Sequence, residues 1–222
     1  MKLYNKLILL ILILLMPAAL NAESRDYIGL TVGFDISGKT NIFDDGNVWN
    51  SKSASLDTLM DILVYFNGEN DGFRVGTGFS IGCGVPLLYS TSYGEVYGKK
   101  PFAFYGKVTG ECAYFIDAKT AIESKAGFAV RVDQLNFREN YKEVQLSSPT
   151  MIFNASILGV AGLSARHEIV PGVVIRSGIE VDFSLLEYIN AVQGPNIVYN
   201  YVGMHKGSRI SVLPYMSALF SY

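Results

Sequence analysis

The sequence predicts an all-β protein: a closed, antiparallel up-and-down β-barrel of eight strands that spans a membrane. Eight segments alternate apolar and polar residues with the period of two that a half-buried strand requires. The chain is hydrophobic on average, yet after residue 22 it contains no apolar run long enough for a membrane-spanning helix. Because only a helix or a closed sheet pairs all backbone groups in lipid, such a chain is expected to cross as a barrel.

The N-terminal segment has the three-part pattern of a secretory signal peptide. Lys2 and Lys6 form a positive region, and residues 7–16 form an unbroken apolar run. An anchoring helix needs about 20 apolar residues, more than this run contains. The small residue Ala22 precedes the expected cut at Glu23, and no Cys follows that cut, so we expect no lipid anchor. The predicted organisation is a cleaved signal over 1–22 and a barrel over 23–222.

The charge of the processed chain excludes a nucleic-acid partner. The predicted signal contains two of the 18 basic residues and none of the 20 acidic ones, which leaves 16 basic against 20 acidic residues and a formal charge of −4. Charged residues form 17% of the whole chain, against about 25% in an ordinary soluble domain. This composition favours a membrane protein.

The first three predicted strands alternate clearly. In strand one (27–36), Ile, Leu, Val and Phe share one face, and Asp35 lies on the other among Gly and Thr. Strand two (about 58–66) places Met, Ile, Val and Phe opposite Asp61. Strand three (73–85) opposes its apolar residues with one Arg, one Ser and four Gly. Each segment therefore has one face suited to hydrocarbon.

The next three predicted strands follow the same rule less evenly. Strand four (about 102–116) and strand five (about 121–135) place Lys, Arg, Glu and Asp on one parity only. Strand six (151–164) is weaker, because aliphatic residues such as Leu158 and Val160 interrupt its polar side. The period of two still predicts a strand there.

The last two predicted strands complete an even number. Strand seven (172–186) opposes Val, Ile, Phe and Leu with Arg, Glu and Asp. Strand eight (207–222) alternates as well, although Leu213 and Leu219 lie on its polar side. Pro214 cannot donate to a ladder, so we expect a bulge or kink at that residue.

The connections between these strands alternate in length, which is typical of bacterial outer-membrane barrels with short periplasmic turns and long outer loops. Ten strands would result if the first or last long loop contained a further hairpin. The short connections are expected near 67–72, 117–120 and 165–171, and the long ones near 37–57, 86–101, 136–150 and 187–206.

The polar face of the strands indicates which side meets lipid. A soluble lipocalin-like barrel would place the apolar face inside and long charged side chains outside. Here the polar face is mostly small residues with scattered charges, and small residues suit the crowded interior of an eight-stranded barrel. The charges are seven acids and six bases, the near-balance that a closed interior needs. This predicted lumen ion-pair network comprises Asp35, Asp61, Arg74, Lys107, Glu111, Glu123, Lys125, Arg131, Asp133, Arg176, Glu180, Asp182 and Arg209.

The C-terminal residues carry a resemblance to a known group of proteins. Tyr222 with Phe220, Ala218 and Met216 is similar to the β-signal of bacterial outer-membrane proteins, which the barrel-assembly machinery reads. That group more often ends in Phe, and Ala218 and Pro214 depart from its pattern. Residues 23–222 also resemble the OmpA, OmpX and OmpW type of barrel in layout. The resemblance implies an outer-membrane location, contact with outer-membrane lipid, and periplasmic chaperones and the assembly machinery as partners during biogenesis.

The sequence offers little for catalysis, metals or cofactors. The two histidines, His167 in a predicted short turn and His205 in the last loop, do not have zinc-ligand spacing. The glycines of 76–84 lack the following helix that a phosphate-binding loop needs. Cys83 and Cys112 are expected on the outer face of neighbouring strands, not opposite each other, and unpaired. We therefore predict no cofactor, no metal and no catalytic residue.

Three functions remain open from the sequence, in order of preference. The first is a structural or surface-interaction role, in which four outer loops contact a host or cell-surface ligand, since loops on a rigid scaffold carry function. The second is a narrow OmpW-like channel for small apolar molecules. The third is a lipid-modifying enzyme resembling the barrels that acylate lipid A, with His205 as base and a loop Ser as nucleophile. The channel would be lined by Leu59, Leu63, Leu158 and Val160.

Overall fold

The computed structural model shows a chain built almost entirely of antiparallel strands. The described part contains no helix that is long and apolar enough to cross a membrane. The predicted signal peptide and its cleavage site lie outside the described residues. The structure describes residues 26–42, 48–66, 72–91, 94–95, 102–136, 150–193, 203–204 and 206–222.

Eight long strands form the wall, and two two-residue strands extend the long-loop end. Each long strand pairs antiparallel with its two neighbours, and β10 closes the sheet by pairing with both β1 and β8. The strands are β1 (Tyr27–Ile42), β2 (Val48–Tyr65), β3 (Phe73–Thr91), β4 (Gly94–Glu95), β5 (Phe102–Phe115), β6 (Thr120–Asn136), β7 (Thr150–Val170), β8 (Val173–Gln193), β9 (Gly203–Met204) and β10 (Lys206–Ser221).

The closed wall confirms the predicted fold class with eight strands. The short strand β4 pairs only with β3, and β9 pairs only with β8, so neither is part of the closed wall. Closure removes the unpaired sheet edges that lipid would not tolerate. The ten-strand alternative is wrong.

The strands extend further toward the long-loop end than the sequence predicted. The β1–β2 ladder continues to Ile42 opposite Val48, so the loop expected over 37–57 is mostly hairpin. Likewise, β7 and β8 pair from Thr150 opposite Gln193. The alternation disappears over 50–53, where the residues are polar on both faces, while backbone pairing continues. Beyond the hydrocarbon, the outer face no longer needs apolar side chains.

The third short connection is tighter than expected. Residues up to Val170 belong to β7, and Pro171 and Gly172 alone form the turn. Gly172 has a φ of 82°, a left-handed conformation that glycine adopts without steric cost. The expectation of a turn over 165–171 is therefore wrong, and His167 lies on a strand.

Pro214 does not produce the expected bulge. Gly33 pairs with Tyr215 and Ile36 pairs with Val212 in the same register, and Pro214 remains opposite Ile179 on β8. The ladder toward β1 is only interrupted for two residues, as the missing N–H requires. The register shifts instead lie between Ala54 and Ser55, between Ile157 and Leu158, and between Glu168 and Val170.

The two faces of the wall have opposite chemistry. On β1, the outward residues Leu30 and Ile36 are 52% and 54% exposed, whereas the inward Asp35 is 2% exposed. The same alternation continues around the barrel. Lys52, near the long-loop end of β2, is exposed, whereas the outward positions in the middle of the described strands hold no charged side chain. Such a surface matches hydrocarbon, since a central Lys or Arg facing lipid costs about 2–4 kcal/mol.

Candidate functional site

The candidate site is the lumen, which is filled by the barrel's own side chains. The structure places all thirteen predicted charged residues on the inner face. Eleven are buried, and Lys125 and Asp133 are partly buried. They form three clusters along the barrel axis, described below from the short-turn end to the long-loop end.

The first cluster, at the short-turn end, joins two arginines to several carboxylates. Arg176 donates to Glu111 at 3.0 Å, and its guanidinium lies 3.7 Å from Asp61 and 3.8 Å from Glu123. Arg166 donates to Glu123 at 3.3 Å. Arg176 therefore contacts carboxylates from three strands, whereas Arg166 contacts one carboxylate and the hydroxyls of Tyr27 and Tyr65. Both arrangements compensate buried charge.

Aromatic rings close the floor below this cluster. Tyr27 and Tyr65 meet edge to face with centroids 6.3 Å apart. The guanidinium groups of Arg74 and Arg166 lie 4.6 and 5.3 Å from the centre of the Phe115 ring, within cation–π range. The Tyr65 hydroxyl donates to Glu123 at 2.8 Å and thereby links the floor to the ion pairs. Tyr27, Tyr65, Leu63 and Leu219 are buried together in this floor, and Phe115 packs against them.

The second cluster lies in the middle of the lumen and uses lysines. The Lys107 ammonium donates to Glu180, and the Lys125 ammonium lies 2.6 Å from the other oxygen of the same carboxylate. Asp182 is 3.7 Å from Lys107. The Tyr215 ring stacks on Lys125, with 4.3 Å between the ammonium and the ring centre. This cluster is electrically balanced, with two bases and two acids.

The third cluster, toward the long-loop end, surrounds Arg131. Its guanidinium donates to Asp35 at 2.6 Å and to Asp133 at 2.7 Å, and it lies 3.4 Å from Asp57. Arg209 also donates to Asp35 at 3.0 Å and to Asp133 at 2.9 Å. Two arginines thus tie β1, β2, β6 and β10 together across the lumen.

Sequence reasoning missed four charged residues of the inner face: Lys39, Asp57, Arg166 and Glu187. Lys39 and Glu187 form an ion pair at 2.7 Å above the third cluster. All four were assigned to loops or turns because the strands were predicted too short. For Lys39, Asp57 and Arg166, the available signal was the parity that they share with Asp35, Asp61 and Ser164 on longer strands. Glu187 has the opposite parity to Glu180, and it lies on the inner face because the β7–β8 register shifts between Ile157 and Leu158. With them, the described inner face holds nine acids and eight bases.

The four aliphatic residues proposed to line a channel do not share one cavity. Leu63 packs into the floor with Tyr27, Tyr65 and Leu219. Leu158 and Val160 pack with Ala129 in a separate cluster. All are buried side chains that fill space. The apolar inner residues therefore contribute to the packing of the lumen at two separate levels.

Some buried polar atoms of the lumen have no hydrogen-bond partner among the described residues. These include Asp35 Oδ1, Asp182 Oδ1, Asn154 Oδ1 and the Tyr215 hydroxyl. Buried polar groups are rarely left unpaired, and ordered water commonly satisfies them.

Both cysteines and one of the two histidines lie in the described part of the chain. Cys83 and Cys112 lie on neighbouring strands, and both are free thiols, as expected. His167 lies on β7 and contacts Thr120, with 3.0 Å between Nδ1 and Oγ1. His205 lies outside the described residues. No group of three or more His, Cys, Asp or Glu in the described part could hold a metal ion.

The C-terminal residues of the proposed assembly signal lie on the outer face. Met216, Phe220 and Tyr222 are exposed, and Ala218 is partly exposed. Phe220 pairs with Ile28 where β10 closes on β1. The segment is therefore at the seam at which the first and last strands meet.

Comparison with known proteins supports the fold. No protein-family model matches the sequence, and no curated protein matches it. Among solved structures, the chain is similar to the outer membrane protease OmpT from Escherichia coli, with 5% identity, a TM-score of 0.51, and coverage of 90% of this chain and 97% of that one. It is also similar to Neisserial surface protein A (9% identity, TM-score 0.46, coverage 87% and 97%). A third similar structure is Ail, the attachment invasion locus protein of Yersinia pestis (12% identity, TM-score 0.39, coverage 88% and 99%).

The wall and the comparisons together define the class of protein. An antiparallel barrel that is apolar outside and polar inside is the architecture of bacterial outer-membrane proteins. This chain has that fold. At 5–12% identity, the likeness extends to the fold and to no particular activity.

Proposed function

We propose that this chain is an outer-membrane protein whose barrel is a closed, non-conducting scaffold, and whose outer loops contact host or cell-surface molecules. The observation that carries the proposal is the filled lumen. Three ion-pair clusters and the aromatic floor occupy successive levels of the interior. A pore needs a continuous water-filled path, and the side chains at these successive levels would block it. The described part of the barrel contains no group of residues that could hold a metal ion. We therefore assign the binding role to the loops, since loops on a rigid scaffold commonly carry function.

Planar-bilayer recording tests the closed lumen. The refolded protein is inserted into the bilayer, and its folded state is checked by heat-modifiable gel mobility. We expect no steady single-channel steps, while a general porin measured under the same conditions gives them. Regular, long-lived openings of the unmodified protein would overturn the closed scaffold in favour of the narrow channel. Uptake of a small apolar compound into vesicles containing the protein would have the same meaning.

Loop replacement tests the surface-interaction role. Residues 43–47, 92–101, 137–149 and 194–202 are replaced in turn by short Gly-Ser linkers, which leave the eight wall strands intact. We expect cells displaying the unmodified barrel to bind host cells or matrix, and at least one replacement to abolish that binding. Equal binding by the unmodified barrel and by all four variants would contradict the role.

The third function, a lipid-modifying enzyme, is tested separately. Its predicted base, His205, is not among the described residues, so no geometry supports or opposes it. Incubating the refolded protein with phospholipid and lipopolysaccharide, followed by mass spectrometry, tests it directly. Acyl transfer or release that is lost in His205→Gln would replace the scaffold proposal by an enzyme.

The proposed assembly signal is tested at the seam of the barrel. Replacing Tyr222 by Ala is expected to slow assembly into outer membranes, because a terminal aromatic residue is the part most similar to the known signal. Tyr114→Ala, at another exposed outward tyrosine, is the matched control. If both variants assemble equally fast, recognition of Tyr222 by the assembly machinery is wrong.

A further inference from the structure

A groove runs along the outer wall where β6, β7 and β8 meet. Its volume is about 750 Å³, within the range of roughly 300–1,000 Å³ typical of small-molecule sites. Its lining includes the small outward residues Ala161 and Ala165 on β7 and Ser177 on β8. The larger outward side chains of Ile122, Leu163 and Ile179 also line it. The groove therefore opens to hydrocarbon and not to water.

The groove and the next outward residue of β7 together span the length of one membrane leaflet. The groove follows β7 from Ala161 to Ala165, and the next outward residue is His167. The six residue steps from Ala161 to His167 span about 20 Å, which becomes roughly 15 Å along the membrane normal at the usual tilt of outer-membrane strands. Half of the hydrocarbon core is also about 15 Å. His167 therefore lies at the short-turn end of an outward apolar stretch that is about as long as one acyl layer.

The interfacial end of the groove is polar and carries a cation. His167 faces Thr120 across the β6–β7 ladder, and its Nδ1 lies 3.0 Å from the threonine hydroxyl. The exposed Lys119 precedes that threonine, and its carbonyl accepts a hydrogen bond from the Glu168 N–H at 2.9 Å. The neighbouring Asp117 carboxylate already accepts two backbone N–H groups at 2.8 Å each. The backbone of Lys119 and the imidazole of His167 are therefore held at this end of the groove, while the nearby Asp117 and Glu168 carboxylates accept backbone N–H groups.

We propose that this groove binds an anionic phospholipid of the short-turn leaflet. One acyl chain lies along Ala161 and Ala165, and the phosphate contacts Lys119 and His167. The apolar length, the exposure to hydrocarbon and the cation at the interfacial end together fit one lipid molecule. This site is on the opposite side of the wall from the lumen, and it does not depend on the outer loops.

Quenching by brominated lipid tests the proposal in the full-length protein. Trp49, the single tryptophan, is replaced by Phe, and a reporter tryptophan is placed either at Ile122 beside the groove or at Ile62 on the opposite wall. Both positions are outward and exposed. The barrels are refolded into phosphatidylcholine vesicles that contain increasing fractions of brominated phosphatidylglycerol. The binding constant relative to phosphatidylcholine is then measured at each reporter.

We expect phosphatidylglycerol to be enriched at Ile122→Trp by about fivefold or more, the effect of one basic residue near the interface. At Ile62→Trp the relative constant should be near one. In the Ile122→Trp background, Lys119→Gln with His167→Gln should return the constant to near one without loss of heat-modifiable mobility. Equal constants at the two walls, or enrichment that survives the double substitution, would overturn the proposal. Weak quenching by all lipids at Ile122→Trp alone would indicate that a second copy of the chain covers the groove, which also overturns it.

Discussion

The two faces of this barrel wall are formed by the same strands but contact opposite environments. Along β1, Leu30 and Val32 alternate with Thr31, so adjacent residues meet hydrocarbon and a packed polar interior in turn. The outer face avoids polar groups, because lipid offers them no partner. The inner face accepts charge, because Arg131, Arg176 and the lysines reach carboxylates on distant strands. Burial in this protein therefore depends on available partners, and not on hydrophobicity alone.

Removing an inner-face cation should have the largest effect. Arg131→Met removes the one basic partner that the buried Asp57 has among the described residues, and it leaves the carboxylates of Asp35 and Asp133 with Arg209 alone. We expect the free energy of unfolding in phospholipid vesicles to fall by about 3–5 kcal/mol, as measured by urea titration. Lys52→Met, at the exposed outer position, is the matched control and should change it by less than about 0.5 kcal/mol. Similar losses of unfolding free energy in both variants would contradict the expected difference between the inner and outer faces.

Adding a charge to the outer face should have the next largest effect. Val32 is outward and near the middle of β1, and Val32→Arg should lower the free energy of unfolding by about 2–4 kcal/mol. Ser208→Arg, outward on β10 near the long loops, should cost only about 0–1 kcal/mol because it lies near the interface. The same urea titration measures both. A Val32→Arg variant as stable as Ser208→Arg would mean that β1 does not face hydrocarbon.

Two tyrosines of the lumen, Tyr65 and Tyr215, differ in the hydrogen bonds of their hydroxyl groups. The Tyr65 hydroxyl donates to Glu123 at 2.8 Å and accepts from Arg166 at 3.1 Å, whereas the buried Tyr215 hydroxyl has no partner among the described residues. Tyr65→Phe should lower the free energy of unfolding by about 1.5–3 kcal/mol, since its hydrogen bonds involve charged groups. Tyr215→Phe should lower it by less than about 1 kcal/mol. The reverse order would show that the floor is held by packing and not by these hydrogen bonds.

The smallest effect is expected where both faces end, at the turn between β5 and β6. The backbone N–H of Lys119, and then the hydroxyl and N–H of Thr120, hold the pKa of Asp117 below its ordinary value of 3.8. A carboxyl whose pKa is lowered by folding stabilises the turn above its ordinary pKa and loses that contribution as the pH falls through the lowered value. Hydrogen-exchange protection of the Lys119 and Thr120 amides should therefore decrease only below about pH 4. Asp117→Asn should remove this pH dependence, and an unchanged profile would contradict the role of the carboxylate.

Some features of the barrel were predictable from the sequence, and others were not. The parity of Asp35, Glu123 and Arg176 relative to their apolar neighbours was readable because the outer face inside hydrocarbon has to be apolar. Arg166 was missed because the apolar signal ends near the turn while the hydrogen-bonded ladder continues. Glu187 was missed because a register shift between β7 and β8 reverses the parity before it. Pro214 was misjudged because a missing N–H predicts an interrupted ladder but does not fix whether the register shifts.

The sequence alone determined that the strands alternate, that one face suits lipid, and that the other face carries nearly balanced charge. Those properties follow from side-chain chemistry and a period of two, which are local. Only the tertiary structure decided which carboxylate each arginine meets, that the aromatic rings close one end of the lumen, and that small side chains of three strands form an outer groove. These features depend on the register and closure of the wall, which place residues more than a hundred positions apart, such as Arg166 and Tyr27, at 3.0 Å.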